Sequence, residues 1–197
     1  MNRIVFAALS LTLTMALPSL AHADLVTNGG FEADDASGGP VTPPSGWTVV
    51  GSNPSIGVDD SNPNTGLNEA FLGTIGTTGT LQQTLTTVAG TTYTISFALE
   101  NGDPTGGLSS FAADFGGLLL SDTFATLPTS YNTYSFTATA TGTSTVLAFT
   151  EQNDNSNWFL DDVSVTAAST TVPEPSTMLL LGSMLAGYAL MFRLRRR

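Results

Sequence analysis

The run Tyr93–Leu99, YTISFAL, sets Tyr93, Ile95, Phe97 and Leu99 two residues apart, with small or hydroxyl residues between them. A period of two places the four large side chains on one face of a strand and the small ones on the other. Runs rich in β-branched and aromatic residues return at Leu81–Val88, Phe111–Phe115, Gly117–Ser121, Tyr131–Ala138, Val146–Thr150 and Trp158–Val165, each bounded by turn residues. No segment between residues 24 and 171 sustains a helical period. Many short strands without helices can bury their apolar faces only sheet against sheet, so the pattern predicts an all-β fold, a jelly-roll-like β-sandwich. The Ala89-Gly90 pair between Leu81–Val88 and Tyr93–Leu99 reads as a hairpin turn. In the last run, Phe159, Asp161, Val163 and Val165 alternate onto what reads as the core face.

Two stretches, Asp34–Ser45 and Gly51–Asn68, are rich in Gly, Pro, Asn and Asp and read as surface loops, where binding sites are commonly built. The ends are of another kind. Arg3, the apolar run Ile4–Leu17, Pro18 and Ala21-His22-Ala23 form a charged start, a hydrophobic core and an A-x-A cleavage site, which predicts a signal peptide over 1–23 read by the Sec translocon and signal peptidase. The sandwich then occupies 24–166 and a small-residue linker 167–172, leaving 173–197 as a separate C-terminal device. In that device Met178–Phe192 carries no charge and as a helix reaches about 22 Å, short of a bilayer core of about 30 Å. Pro175 and Ser176 suit a helix start, and Arg193, Arg195, Arg196 and Arg197 follow its end, where the positive-inside rule places the cytoplasm. The tail is expected to be a transmembrane helix in the inner membrane, with everything before it outside.

Charge narrows the chemistry. All five basic residues, Arg3 and the four terminal arginines, lie in the end segments; the only His is His22, and Cys is absent. Of sixteen acidic residues all but Glu174 lie between Asp24 and Val172, with nothing cationic to pair them. Nucleic acid is a poor partner for such a body, and cations are its natural complement. Nucleophile–base pairs that need His, Cys or Lys cannot be built, nor can a zinc site with nitrogen or sulfur ligands. A carboxylate pair of the glycosidase kind is the remaining catalytic option, and no spacing singles one out. The body is therefore expected to be no enzyme.

Pro173-Glu174-Pro175, an apolar stretch and terminal arginines, in that order, resemble the PEP-CTERM sorting signal of Gram-negative bacteria. The resemblance implies a transient anchor: an exosortase-type membrane protease processes the chain near the Pro-Glu-Pro, and the body reaches the outer surface or the extracellular matrix. The opening LVTNGGFE (Leu25–Glu32), the central GTTYTISF (Gly90–Phe97) and the closing WFLDDVSV (Trp158–Val165) resemble galactose-binding-like jelly-roll modules of carbohydrate-active enzymes. In those modules the first and last strands are neighbours and a structural calcium often lies between them. By that resemblance Glu32 and Asp161, with Asn28, are nominated as Ca2+ ligands. The residues alone leave two readings of Asp161: a core-facing carboxylate needs either a hard cation with oxygen ligands or backbone N–H donors at the strand edge. Asp162 is expected to face out.

The cluster Asp59, Asp60, Asn62, Asn64, Asn68 and Glu69 begins like a helix-loop-helix calcium loop, but Gly66 falls one place late and Phe71 stands where the closing Glu belongs, so it reads as a turn-rich loop. Sugar stacking needs exposed rings, and Trp47 and Trp158, both near strand starts, are the candidates, with burial in the core the competing role for each. The expectation for function is a structural or adhesive component of an extracellular polysaccharide or biofilm matrix. A glycan-binding module and, further off, a carboxylate-dependent glycosidase are the alternatives.

Overall fold

The computed structural model describes residues 23–52, 54–103, 108–121, 128–168, 182–185, 188 and 192. Ten strands follow in order: β1 (Thr48–Gly51), β2 (Ile56–Asp59), β3 (Glu69–Leu72), β4 (Gly79–Thr86), β5 (Thr92–Asn101), β6 (Ser109–Phe115), β7 (Leu118–Ser121), β8 (Asn132–Thr139), β9 (Ser144–Asn153) and β10 (Trp158–Ala167). They form two five-stranded sheets, β1-β4-β9-β6-β7 and β2-β3-β10-β5-β8, in which every pairing is antiparallel. Alternation along each strand turns one face inward. Leu81 and Leu85 of β4, Leu147 and Phe149 of β9 and Phe111 and Phe115 of β6 meet Ile95, Phe97 and Leu99 of β5 and Trp158 and Leu160 of β10, all of them buried. Rings from both sheets interlock at the centre. Phe97 meets Phe149 edge-on with centroids 5.1 Å apart, and Phe111 lies 5.3 Å from Trp158. Each such side chain contributes about 1.5–3 kcal/mol by leaving water.

The alternation of Tyr93, Ile95, Phe97 and Leu99 is as expected, and all four are buried. The expected hairpin is not. β4 belongs to the first sheet and β5 to the second, so the chain between them crosses from sheet to sheet, with Gly90 in the left-handed region (φ 80°) donating its N–H to Ala140 O at 2.7 Å. Two strands that both expose one face and bury the other can pair or can lie in opposite sheets, and here they lie in opposite sheets. β2 lies within Gly51–Asn68, which reads as loop, and β3 follows directly after it. They are only four residues long, and their inward residues Ile56, Val58, Ala70 and Leu72 are buried.

β10 carries the irregularity that shapes the site. Its register against β5 shifts between Asp161 and Ser164, and Asp162 sits at φ 51°. One extra residue at this bulge exchanges the faces of the strand. Trp158 and Leu160 point inward before it and Val163 and Val165 after it, while Phe159 is only half-buried and Asp161 lies on the outer face beside it. Phe159, Asp161, Val163 and Val165 therefore do not share a face as predicted. The opening and closing segments are neighbours, as expected: Leu25 N donates to Val165 O and Val163 N to Gly29 O, both at 2.9 Å. Asp24 Oδ1 adds a clip by accepting from Val165 N at 2.9 Å.

No helix among the described residues is long and apolar enough to cross a membrane. Residues 182–185, 188 and 192 are helical, and the Tyr188 and Phe192 rings, four apart, lie 4.8 Å from each other. The signal-peptide expectation over 1–22 and the sorting residues Pro173, Glu174, Pro175, Arg193, Arg195, Arg196 and Arg197 fall outside the described residues.

Candidate functional site

On the outer face of the second sheet the hairpin β2–β3 sends its connection, residues 60–68, back over β10. Three carboxylates hold it there. Asp161 Oδ2 accepts from Asn64 N and Thr65 N, each at 3.0 Å, and its Oδ1 accepts from Asp162 N at 2.7 Å. Glu32 Oε1 accepts from Leu67 N at 2.8 Å and Asn68 N at 3.0 Å. Asp162, expected to face out, helps hold the loop as well, since its carboxylate accepts from Thr65 Oγ1 at 2.6 Å and Asn64 Nδ2 at 2.7 Å. Gly66, at φ 68°, leaves room that any Cβ would take from the Glu32 carboxylate. The loop roofs Asp161, which is why that side chain is buried although it points away from the core. Burial lifts its carboxyl to about 6, against the pull of the N–H donors and with the Asp162 charge adding to the rise.

Glu32 and Asp161 thus come together on one loop, but they are turned to N–H donors. Three of their four oxygens already accept from the backbone, and no three acidic side chains converge on one point among the described residues. Both carboxylates accept from backbone N–H groups, the partners named in the second of the two readings open for Asp161. Asn28 is elsewhere: its Nδ2 donates to Asp34 Oδ2 at 3.0 Å and Ser45 O at 2.9 Å, and its Oδ1 accepts from Ala33 N at 2.9 Å, which uses it to staple the opening segment to Ser45.

One strand over, Asp59 and Glu69 stand opposite each other in the β2–β3 ladder. Glu69 is 0% exposed. Its Oε1 accepts from Asn62 N at 2.8 Å and Ser61 Oγ at 3.1 Å, while Ser61 Oγ is also 2.9 Å from Asp59 Oδ1. Glu69 Oε2 is buried with no hydrogen-bond partner. Desolvation, followed by the neighbouring Asp59 carboxyl, pushes this carboxyl up to about 8. Tyr131 closes the cluster by donating to Asn62 O at 2.8 Å, its phenol driven upward by burial and by the charges of Glu69, Asp161, Glu100 and Asp162. A further carboxylate, Glu151, is buried between the sheets, where both oxygens accept from Thr74 N at 3.2 and 3.3 Å; desolvation raises it to about 7.

Neither tryptophan offers a stacking surface. Trp158 is 0% and Trp47 6% exposed, with their indole N–H groups donating to Gln152 O at 3.3 Å and Asn28 O at 3.1 Å. Both belong to the core, the competing role for each. What the sequence did not signal is an open cleft of about 880 Å³ at the sandwich edge. Its walls come from Thr42, Pro43, Pro54, Ser55 and Phe71, with the rim of Trp47 below. The segment carrying Thr42 can lie this close because Gly57, beneath it on β2, has no Cβ to strike Thr42, Val41 O and the Phe71 ring. No charged residue lines the cleft.

The two-sheet fold is similar to that of solved carbohydrate-binding modules. The chain is similar to TmCBM61, solved with beta-1,4-galactotriose, at TM-score 0.55 and 18% identity over 74% of this chain and 99% of that one. It is similar also to the CBM22-1 xylan-binding domain of Xyn10C from Paenibacillus barcinonensis, at TM-score 0.51 and 13% identity over 78% and 100%. The enzymatically active domain of bacteriophage CBA120 tailspike protein 4 aligns at TM-score 0.55 and 14% identity over 74% of this chain, which spans only 21% of that larger one. At these identities the likeness is one of fold. Residues 171–197 match the PEP-CTERM protein-sorting motif. No curated protein sequence matches the chain.

Proposed function

We propose that the chain is an exported surface protein whose sandwich adheres, without catalysis, to neutral polysaccharide of the extracellular or biofilm matrix. The observation that carries this reading is the cleft beside Trp47. It joins apolar walls (Pro43, Pro54, Phe71) to hydroxyls (Thr42, Ser55) and contains no charge, the composition a neutral sugar ring with one apolar and one hydroxylated aspect would need. A sandwich fold shared with sugar-binding modules supports it, as does the sorting motif at 171–197. Against a hydrolase stand the uses of the buried carboxylates: Glu32, Asp161 and Glu151 are committed to backbone N–H groups, and none lines the cleft. The tail, in this reading, holds the body at the inner membrane until an exosortase-type protease processes it, and the N-terminal segment delivers it through the Sec route.

Affinity electrophoresis of the whole chain in gels containing neutral or anionic polysaccharides tests the binding. Retardation is expected in one or more neutral glycans and in no polyanion, and Phe71→Ala, which strips a half-buried cleft wall, should abolish it while the buried tryptophan fluorescence stays native. Retardation that Phe71→Ala leaves untouched would take the site away from this cleft.

A further inference from the structure

From the facing Asp59 and Glu69 carboxyls we propose a hard-cation site, of the Ca2+ class, on the outer face of the β2–β3 hairpin, distinct from the Glu32–Asp161 cradle. Glu69 Oε2 is buried, has no hydrogen-bond partner and belongs to a side chain with 0% exposure. The Asp59 carboxyl faces the same side chain from directly across the ladder, and one hydroxyl, Ser61 Oγ, touches both. Two acceptor-only groups placed together in this way need something positive between them. The body supplies no Lys, Arg or His for that purpose, since every basic residue lies in the end segments. A proton or a metal ion must fill the role, and a divalent ion balances both charges.

The surroundings suit a calcium-like ion better than magnesium. Ser61 Oγ lies 2.9 Å from Asp59 Oδ1 and 3.1 Å from Glu69 Oε1, so a neutral hydroxyl oxygen stands beside both carboxylates. Asp59 is half-buried and Asp60 exposed, which opens the site to solvent on one side only. Ca2+ accepts irregular mixtures of carboxylate, hydroxyl and water oxygens, whereas Mg2+ demands a near-octahedral set. The opposite wall is already fixed: Asn62 N is bonded to Glu69 Oε1, and Asn62 O to the Tyr131 hydroxyl. An ion here would tie β2, β3 and the start of the 60–68 connection together. The inference does not depend on glycan binding.

Calorimetric titration of the whole chain in detergent with Ca2+ alone decides the matter. Glu69→Gln keeps an oxygen for Asn62 N and Ser61 and turns an amide N–H toward Asp59, so it mimics a shared proton and should fold, with Trp47 and Trp158 fluorescence unchanged. Glu69→Gln and Asp59→Asn are each expected to weaken Ca2+ binding at least ~10-fold, with Glu32→Gln staying within ~2-fold of the parent; an acidic ligand contributes strongly to affinity in such sites. Three results would overturn the proposal. One is Glu69→Gln binding like the parent; another is Glu32→Gln losing the ion while Glu69→Gln keeps it. The third is no heat from the parent up to about 10 mM Ca2+, ten times the weakest affinity typical of extracellular calcium modules, ~10⁻³ M, which would assign the pair to a shared proton alone.

Discussion

The two sheets have five strands each and the same inward alternation, yet their outer faces were finished differently. The outer face of β1-β4-β9-β6 carries Thr48, Thr80, Gln82, Thr84, Val146, Ala148 and Thr150, lies open, and is tied laterally by little more than the Thr80–Thr150 hydroxyl contact at 2.9 Å. The outer face of β2-β3-β10-β5 carries Asp59, Glu69 and Asp161, and a loop is drawn down over them. In a body with no cation to offer, a carboxylate on a sheet face finds backbone N–H groups instead. The cost is a side chain locked in one place; the gain is a nine-residue loop given a single conformation.

Breaking what the faces share should do most. Phe97→Ala empties the point where β5 meets β9 and is expected to cost about 3–5 kcal/mol in denaturant unfolding, since the ring is fully buried against Phe149. Breaking only the covered face comes next. Asp161→Ala strands the N–H groups of Asn64, Thr65 and Asp162, and at ~1–3 kcal/mol for each unpaired buried group, with partial rescue by water, a loss of about 3 kcal/mol is expected, together with fast amide exchange confined to residues 62–68. Exchange that stays slow in that segment would mean the carboxylates do not hold the loop.

A third comparison uses pH. Glu151 has its carboxyl raised to about 7 by burial, above its unfolded value near 4.5. Its contribution to stability is therefore full below pH 4.5 and lost as pH rises through 7, with a slope approaching ~1.4 kcal/mol per pH unit for one proton within that window. Melting midpoints between pH 4.5 and 8 should fall with rising pH, a fall to which Asp161 and Glu69, raised to about 6 and about 8, also contribute; Glu151→Gln should make the slope shallower, and an unchanged slope in that variant would remove Glu151 as a cause. The smallest effect belongs to the open face, where Thr84→Ala is expected to stay within ~0.5 kcal/mol of the parent. A larger loss would show that this face, too, carries structure.

Much of the fold was legible because alternation reports burial directly: β5, β6, β8, β9 and β10 fall where β-branched and aromatic residues repeat with period two. Alternation says nothing about partners, however, so β4 and β5 read as a hairpin although they lie in opposite sheets. β2 and β3 escaped notice because four residues between prolines and glycines carry too little pattern; they are strands only by virtue of the neighbours that cover them. The site was half legible. Glu32 and Asp161, paired in the sequence reading, both meet the 60–68 connection, but the bulge at Asp162, which decides which way Asp161 points, leaves no mark in the composition. For Trp47 and Trp158 the sequence left stacking and core burial side by side, and both are buried. The cleft was legible only as a region: the loop stretches Asp34–Ser45 and Gly51–Asn68 supply Thr42, Pro43, Pro54, Ser55 and Ile56, but their meeting with Phe71 depends on the crossing of the chain over Gly57.

The clip between the opening segment and β10 has a mechanical side. The tail leaves from the end of β10, and β10 lies in the middle of its sheet, between β3 and β5, with residues 24–29 bonded along its final turns of pleat. Tension applied through residue 168 would therefore not peel an edge strand away bond by bond. It would load the long β10–β5 ladder along its length, so that many bonds resist together, and the strand that receives the pull is among the most thoroughly held in the molecule.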